Sequence, residues 1–99
     1  MIELEKQPSE NKPLAIEFKG KLPSGLSLLS GTVSAVRLDT AAVDNSILST
    51  TVLTISGTQA IFRYLGGVSG VDYKITALVT LSDTVTILEE DFLLHVVSR

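Results

Sequence analysis

A glycine cluster that leads into a strictly alternating segment is the feature that most limits how this chain can fold. Gly66, Gly67 and Gly70 precede Tyr73, after which apolar side chains occupy every second position up to Leu81. Glycine enters positive φ without the clash that a Cβ would cause, so the cluster predicts a tight corner. A tyrosine at the start of the following strand can send its hydroxyl back to the backbone while its ring covers the core. We therefore predict a structural corner made of these four residues.

Chain length and composition indicate one small domain. With 99 residues, of which 44% are apolar, the chain can close one modest core, so we expect a single domain over residues 1–99. Cysteine is absent, which excludes disulfides and thiolate metal sites and leaves packing to provide cohesion. The net charge is −3 and the basic residues are scattered, unlike the basic patch of a nucleic-acid binder. We expect no nucleic-acid partner.

The N-terminal residues argue against export and membrane insertion. The first six residues alternate and carry acids, unlike a signal peptide. No apolar run approaches the roughly 20 residues that cross a bilayer. We expect a soluble protein made in the cytoplasm, with no membrane partner.

The whole chain has the pattern of short strands separated by turn residues, with no convincing helical period. The predicted strands are residues 2–6, 14–19, 26–38, 50–55, 59–65, 73–81 and a last strand that starts near residue 85. Residues 39–49 are polar and turn-prone and are expected to form a loop. This spacing predicts an all-β fold, an Ig-like antiparallel β-sandwich of seven to eight strands.

Two strands have an uncertain register. In residues 26–38, either Val33 with Ala35 or Val36 with Leu38 faces the core, because residues 30–31 can host a bulge or turn. In the last strand, Ile87 alternates in one phase and Leu94 in the other. We expect a bulge near residues 89–90 to reconcile the two phases.

No set of residues carries a recognisable catalytic or ligand-binding signature. His95 is the only histidine and is surrounded by apolar residues, a setting more typical of a structural or surface imidazole than of a catalytic one. No nucleophile elbow occurs, and the acids near residues 39–45 and 89–91 lack the spacing of a calcium loop. Tryptophan is absent, which weakens a sugar-stacking role. We expect no catalytic residue, no metal and no cofactor.

Three apolar residues fall out of phase with the inferred core and form a possible interface. Leu78 lies on the penultimate strand, and Leu93 and Val97 lie on the last. A sheet that is apolar on both faces usually packs against something, so these residues suggest a partner protein or a homo-oligomer. A different register, or strong curvature, would instead place them in the core.

The chain resembles the small Ig-like structural proteins of tailed bacteriophages and prophages, including fiber-tail adaptors. The resemblance lies in KQPSE at residues 6–10, AIEF at 15–18, LSGTVS at 29–34, GGVSG at 66–70 and YKIT at 73–76. It differs at the final hairpin, where similar proteins usually have a glycine and this chain has Asp83 and Thr84. The resemblance implies a non-enzymatic virion protein that joins other structural proteins at a neck or tail connection. The alternative is an adhesion or glycan-binding Ig-like accessory module.

Overall fold

A computed structural model describes residues 2–97 and contains seven strands and two short 3-10 helices. The strands are β1 (Ile2–Lys6), β2 (Lys12–Glu17), β3 (Leu28–Arg37), β4 (Thr54–Ser56), β5 (Gln59–Tyr64), β6 (Asp72–Leu81) and β7 (Ile87–Val96). The 3-10 helices are Lys19–Lys21 and Asn45–Ile47.

The strands form two sheets, which confirms the predicted all-β sandwich. One sheet has the order β1-β7-β6-β3, and the other has the order β2-β5-β4. Every neighbouring pair is antiparallel except β1 and β7, so the expectation of a wholly antiparallel sandwich is wrong at this strand. Both strands run towards the end of the molecule that holds the glycine corner, where Lys6 pairs with Val96. We call this end the corner end and the opposite end, with the β6–β7 turn, the hairpin end.

The inner faces of the two sheets supply the core. The predicted inward positions of β6 are all fully or almost fully buried, namely Tyr73, Ile75, Ala77, Val79 and Leu81. Phe62 of β5 and Phe92 of β7 meet across the sandwich with ring centroids 6.0 Å apart. Burying side chains of this size stabilises the fold by about 1.5 to 3 kcal/mol each, so these alternating positions fix which face of each strand points inwards.

β3 and β7 settle the two uncertain registers. β3 buries Val33 and Ala35, and its pairing with β6 shifts between Leu28 and Ser30. β7 pairs residue for residue with β6 from Ile87 to His95, so the bulge expected near residues 89–90 is wrong. No bulge is needed because Ile87 does not join the core and is 59% exposed on the outer face.

The outer edge of β3 is closed by two loop segments. The predicted strand over residues 50–55 is shorter, and β4 begins only at Thr54, because the preceding residues bond to β3 instead. Leu53 N donates to Gly31 O at 2.9 Å. Farther along β3, Ala35 N donates to Asn45 Oδ1 and Ala35 O accepts from Asp44 N, both at 2.9 Å. These bonds occupy backbone groups that would otherwise attract a foreign strand.

Candidate interaction surface

The glycine corner has the geometry of a tyrosine corner. Tyr73 is fully buried, and its hydroxyl accepts a hydrogen bond from the backbone N–H of Val68 at 3.1 Å. Gly66, Gly67 and Gly70 have φ values of +61°, +92° and +85°. At Gly67 an added Cβ would lie 2.9 Å from Cγ2 of Val96, so this position requires glycine for space as well as for backbone conformation.

Lys6 anchors β1 to the corner, a role that the sequence does not indicate. Its side chain is only 1% exposed, and its Nζ donates to Gln7 O at 2.6 Å and to Gly66 O. Burial lowers the pKa of the Lys6 ammonium below its usual range, while the negative charge of Glu10 acts in the opposite direction. A buried cation with two backbone acceptors fixes the position of β1 against the corner.

His95 joins three strands at the same end of the sheet. Its Nδ1 lies 2.9 Å from Asp72 Oδ1 on β6, and its Nε2 lies 2.9 Å from Glu3 Oε1 on β1. The hydrogen bonds to Glu3 and Asp72, in that order, raise the pKa of His95 against a smaller opposing effect of burial. Two carboxylates that contact both ring nitrogens favour the imidazolium form, so His95 links β1, β6 and β7 as a clamp.

The three residues of the predicted interface do not form one patch. Leu78 is 39% exposed, whereas Leu93 and Val97 are half-buried at the corner end. Leu93 lies opposite Lys74, four residues before Leu78 on β6, which corresponds to about 13 Å along the strand. The structure thus leaves Leu78 with different neighbours from those predicted.

Those neighbours line a shallow depression on the outer face of the four-stranded sheet. We call it the outer depression; it has a volume of about 340 Å³ and is lined by Ser30, Gly31, Thr32, Val52, Leu78, Thr80 and Ile87. Val52 and Ile87 are 60% and 59% exposed, so its walls present apolar carbon to the surface. Sequence reasoning missed both residues, although the change of phase at Ile87 was the signal of an apolar outer face.

The β6–β7 turn exposes a further apolar side chain at the hairpin end. Asp83 Oδ1 accepts from the backbone N–H groups of Val85 and Thr86 at 3.1 and 2.9 Å. The hydroxyl and backbone N–H of Thr86 lower the pKa of Asp83, and Thr84 adopts a φ of +61°. The turn is therefore held by its own side chains, and it leaves Val85 79% exposed.

Acidic side chains border the outer depression on β7. Glu89 lies opposite Leu78 on the outer face, and Asp91 follows two residues later, opposite Thr76. Neither carboxylate has an ion pair with any residue in the range 2–97, and Asp91 Oδ1 is buried without a hydrogen-bond donor there. The nearby Glu90 points away from this face and pairs with Lys21. The surface thus combines apolar carbon with unneutralised negative charge.

Metal-binding clusters and membrane-spanning helices are absent from the part of the chain that the structure describes. Within residues 2–97 no group of three or more His, Asp, Glu or Cys side chains is placed to hold a metal ion. The two helices in that range have three residues each, and neither could cross a membrane.

Comparison with known proteins gives one assignment. No curated protein and no solved structure matches the chain. A family model described as podophage GP4 fiber-tail adaptor protein gp77 matches residues 6–95, a range that includes the whole of β2 to β6, the corner and the outer depression. The match spans far more than half of the 99 residues. The chain therefore belongs to the podophage GP4 fiber-tail adaptor protein gp77 family.

Proposed function

We propose that this adaptor-family chain works as a non-catalytic subunit of the virion that connects other structural proteins at the neck or tail. The observation that supports this most is the family match over residues 6–95. The surface is compatible with such a role, since the outer depression is shallow and apolar and is formed by the faces of strands. Contacts of this kind suit protein docking better than enclosure of a small substrate.

The proposed connection uses preformed surfaces. The closed outer edge of β3 disfavours strand addition there, so the sheet face at the hairpin end is the more suitable contact region. Leu78, one of the residues of the predicted interface, lies in this region together with Val52 and Ile87. We further propose that the chain is made in the cytoplasm of the bacterial host, alone or as a homo-oligomer, and then enters the virion, whether encoded by a lytic phage or by a prophage.

The test is a deletion of the gene in the phage or prophage, followed by purification of particles on a density gradient. We expect the polypeptide to co-sediment with wild-type tails or necks. The deletion should give particles that lack the joined components, and a plasmid copy should restore them. Complete, infectious particles that never contain the polypeptide would contradict the proposal and would favour an accessory adhesion module.

A further inference from the structure

We propose that the outer depression binds a segment of another virion protein in which an apolar side chain is flanked by lysine or arginine. This inference rests on the proposed function, because it names the chemistry of the partner that the adaptor would engage. Three features of the described residues support it: the apolar walls, the acidic border and the rigid surroundings.

The apolar walls define what can enter the depression. Leu78, Val52 and Ile87 come from the sheet and from the loop that closes β3, and all three are exposed. Gly31 and three hydroxyl-bearing residues of β3 and β6 complete the lining, namely Ser30, Thr32 and Thr80. A volume near 340 Å³ accommodates an aliphatic side chain but cannot enclose a folded element. Covering these side chains removes apolar surface from water, which favours an aliphatic anchor residue on the partner.

The acidic border favours positive charge beside the anchor residue of the partner. Glu89 is exposed next to Leu78, and neither it nor Asp91 has an ion pair within residues 2–97. Lys74 lies on the same face two residues from Thr76, the partner of Asp91, without an ion pair to it, and four residues, about 13 Å, from Leu78, the partner of Glu89. A second copy docking through the same face by a two-fold axis would bring like charges together, which is unfavourable. A basic partner segment would instead neutralise them.

The surroundings of the depression are ordered before any partner arrives. Asp83 holds the β6–β7 turn through three hydrogen bonds, from Val85 N, Thr86 N and Thr86 Oγ1. On the other side, Leu53 N bonds to Gly31 O and fixes the loop that carries Val52. A surface that is already rigid loses little conformational entropy on binding, so even a short segment can dock.

The test uses two seven-residue peptides with alternating valine and lysine, or alternating valine and glutamate, titrated into the ¹⁵N-labelled chain. We expect the lysine peptide to shift the amide resonances of Leu78, Thr80 and Ile87, and to bind at least about fivefold more tightly than the glutamate peptide. The substitution Ile87→Thr should remove these shifts. The matched substitution Val68→Thr, at an exposed site of the corner end, should leave them unchanged.

Two double variants distinguish the effect of the carboxylates beside the outer depression from the effect of the net charge of the chain. Glu89→Gln with Asp91→Asn should weaken binding of the lysine peptide by about fivefold. Glu10→Gln with Glu17→Gln removes the same two charges elsewhere, on side chains whose hydrogen bonds an amide oxygen can still accept, and should change binding little. All variants should retain the wild-type amide spectrum away from the mutated sites.

Several results would overturn the inference. The first is that the glutamate peptide binds as tightly as the lysine peptide. The second is that both charge variants lose the same amount of affinity for the lysine peptide. The third is that the shifted resonances centre on another surface, such as the edge of β2. A dimer of the wild-type chain that Ile87→Thr dissociates would identify a second copy as the occupant instead. The gene deletion tests the role in virion assembly and does not depend on this surface. If the deletion phage is defective but the peptides do not bind, the proposed function stands and only the inference about the outer depression is rejected.

Discussion

The two ends of the four-stranded sheet differ in how many of their polar side chains have partners within the fold. At the corner end, the Tyr73 hydroxyl, the buried Lys6 ammonium and both nitrogens of His95 all have partners within the fold. At the hairpin end, Val85 and Ile87 face outwards and Glu89 lacks an ion pair within residues 2–97. The same two strands, β6 and β7, pass through both ends.

This difference indicates that the corner end stabilises the fold and that the hairpin end is available for interaction. Buried groups with internal partners stabilise the chain by itself, and their loss is felt in the folding equilibrium. Exposed apolar and charged groups contribute little to folding and become useful only when a partner covers them. Substitutions at the corner end should therefore lower the free energy of unfolding, whereas substitutions at the hairpin end should change binding and assembly.

The largest effect is expected for Gly67→Ala. The new Cβ would meet Val96 at 2.9 Å, and alanine would have to adopt a φ of +92°. Strain of this kind should lower the free energy of unfolding by about 2 to 3 kcal/mol, measured by urea denaturation. Gly20→Ala is the control, since a Cβ there meets nothing within 4 Å. Equal urea midpoints for the two variants would show that the corner end is not the rigid end.

The next largest effect is expected for Tyr73→Phe, which keeps the ring and removes the hydroxyl. The N–H of Val68 loses its acceptor in this part-buried hydrogen bond, so the free energy of unfolding should fall by about 1 to 2 kcal/mol. Tyr64→Phe is the matched control, because Tyr64 is also buried but its hydroxyl has no hydrogen bond to a described residue. If both variants unfold at the wild-type urea concentration, the hydroxyl bond does not stabilise the corner.

The corner end is also the part that the sequence predicts best. Glycines followed by an alternating strand imply a local geometry that needs no knowledge of distant residues, and the observed burial of β6 follows it. The burial of Lys6 could not be predicted, because a lysine normally faces solvent and one of its acceptors, Gly66 O, is 60 residues away.

The hairpin end was harder to predict because alternation alone does not say which face is buried. We expected a bulge near residues 89–90 so that Ile87 could reach the core, whereas β7 stays regular and exposes it. Val52 enters the outer depression because its loop bonds to β3, a contact that depends on tertiary pairing. The exposed side chains that most suit a partner are therefore those that a core-centred interpretation misassigns.

Leu78→Thr should change folding little and assembly substantially. Leu78 is on the outer face, and threonine suits a strand, so the free energy of unfolding should stay within about 0.5 kcal/mol of the wild type. When the variant complements a phage that lacks the gene, its amount in gradient-purified particles should fall. A variant that unfolds at clearly lower urea would place Leu78 in the core, and normal incorporation of a stable variant would remove it from the interface.

The smallest effect is expected from the titration of His95, which tests whether the clamp at the corner end stabilises the fold. Because Glu3 and Asp72 raise its pKa above the ordinary value near 6.5, the folded chain holds the proton more tightly than the unfolded chain. The stabilisation is fully present below the unfolded pKa and is lost as the pH rises through the folded pKa. The urea midpoint of the wild type should therefore decrease slightly as the pH increases from 6 to 8, and that of His95→Gln should not.

The lowered carboxyl pKa values of Asp83 and Glu10 affect stability only in more acidic solution, so they do not contribute in this range. The urea midpoints of the wild type and of His95→Gln could instead change in parallel with pH, or NMR could give a His95 pKa at or below its ordinary value. Either result would show that the contacts of His95 with Glu3 and Asp72 do not stabilise the corner end.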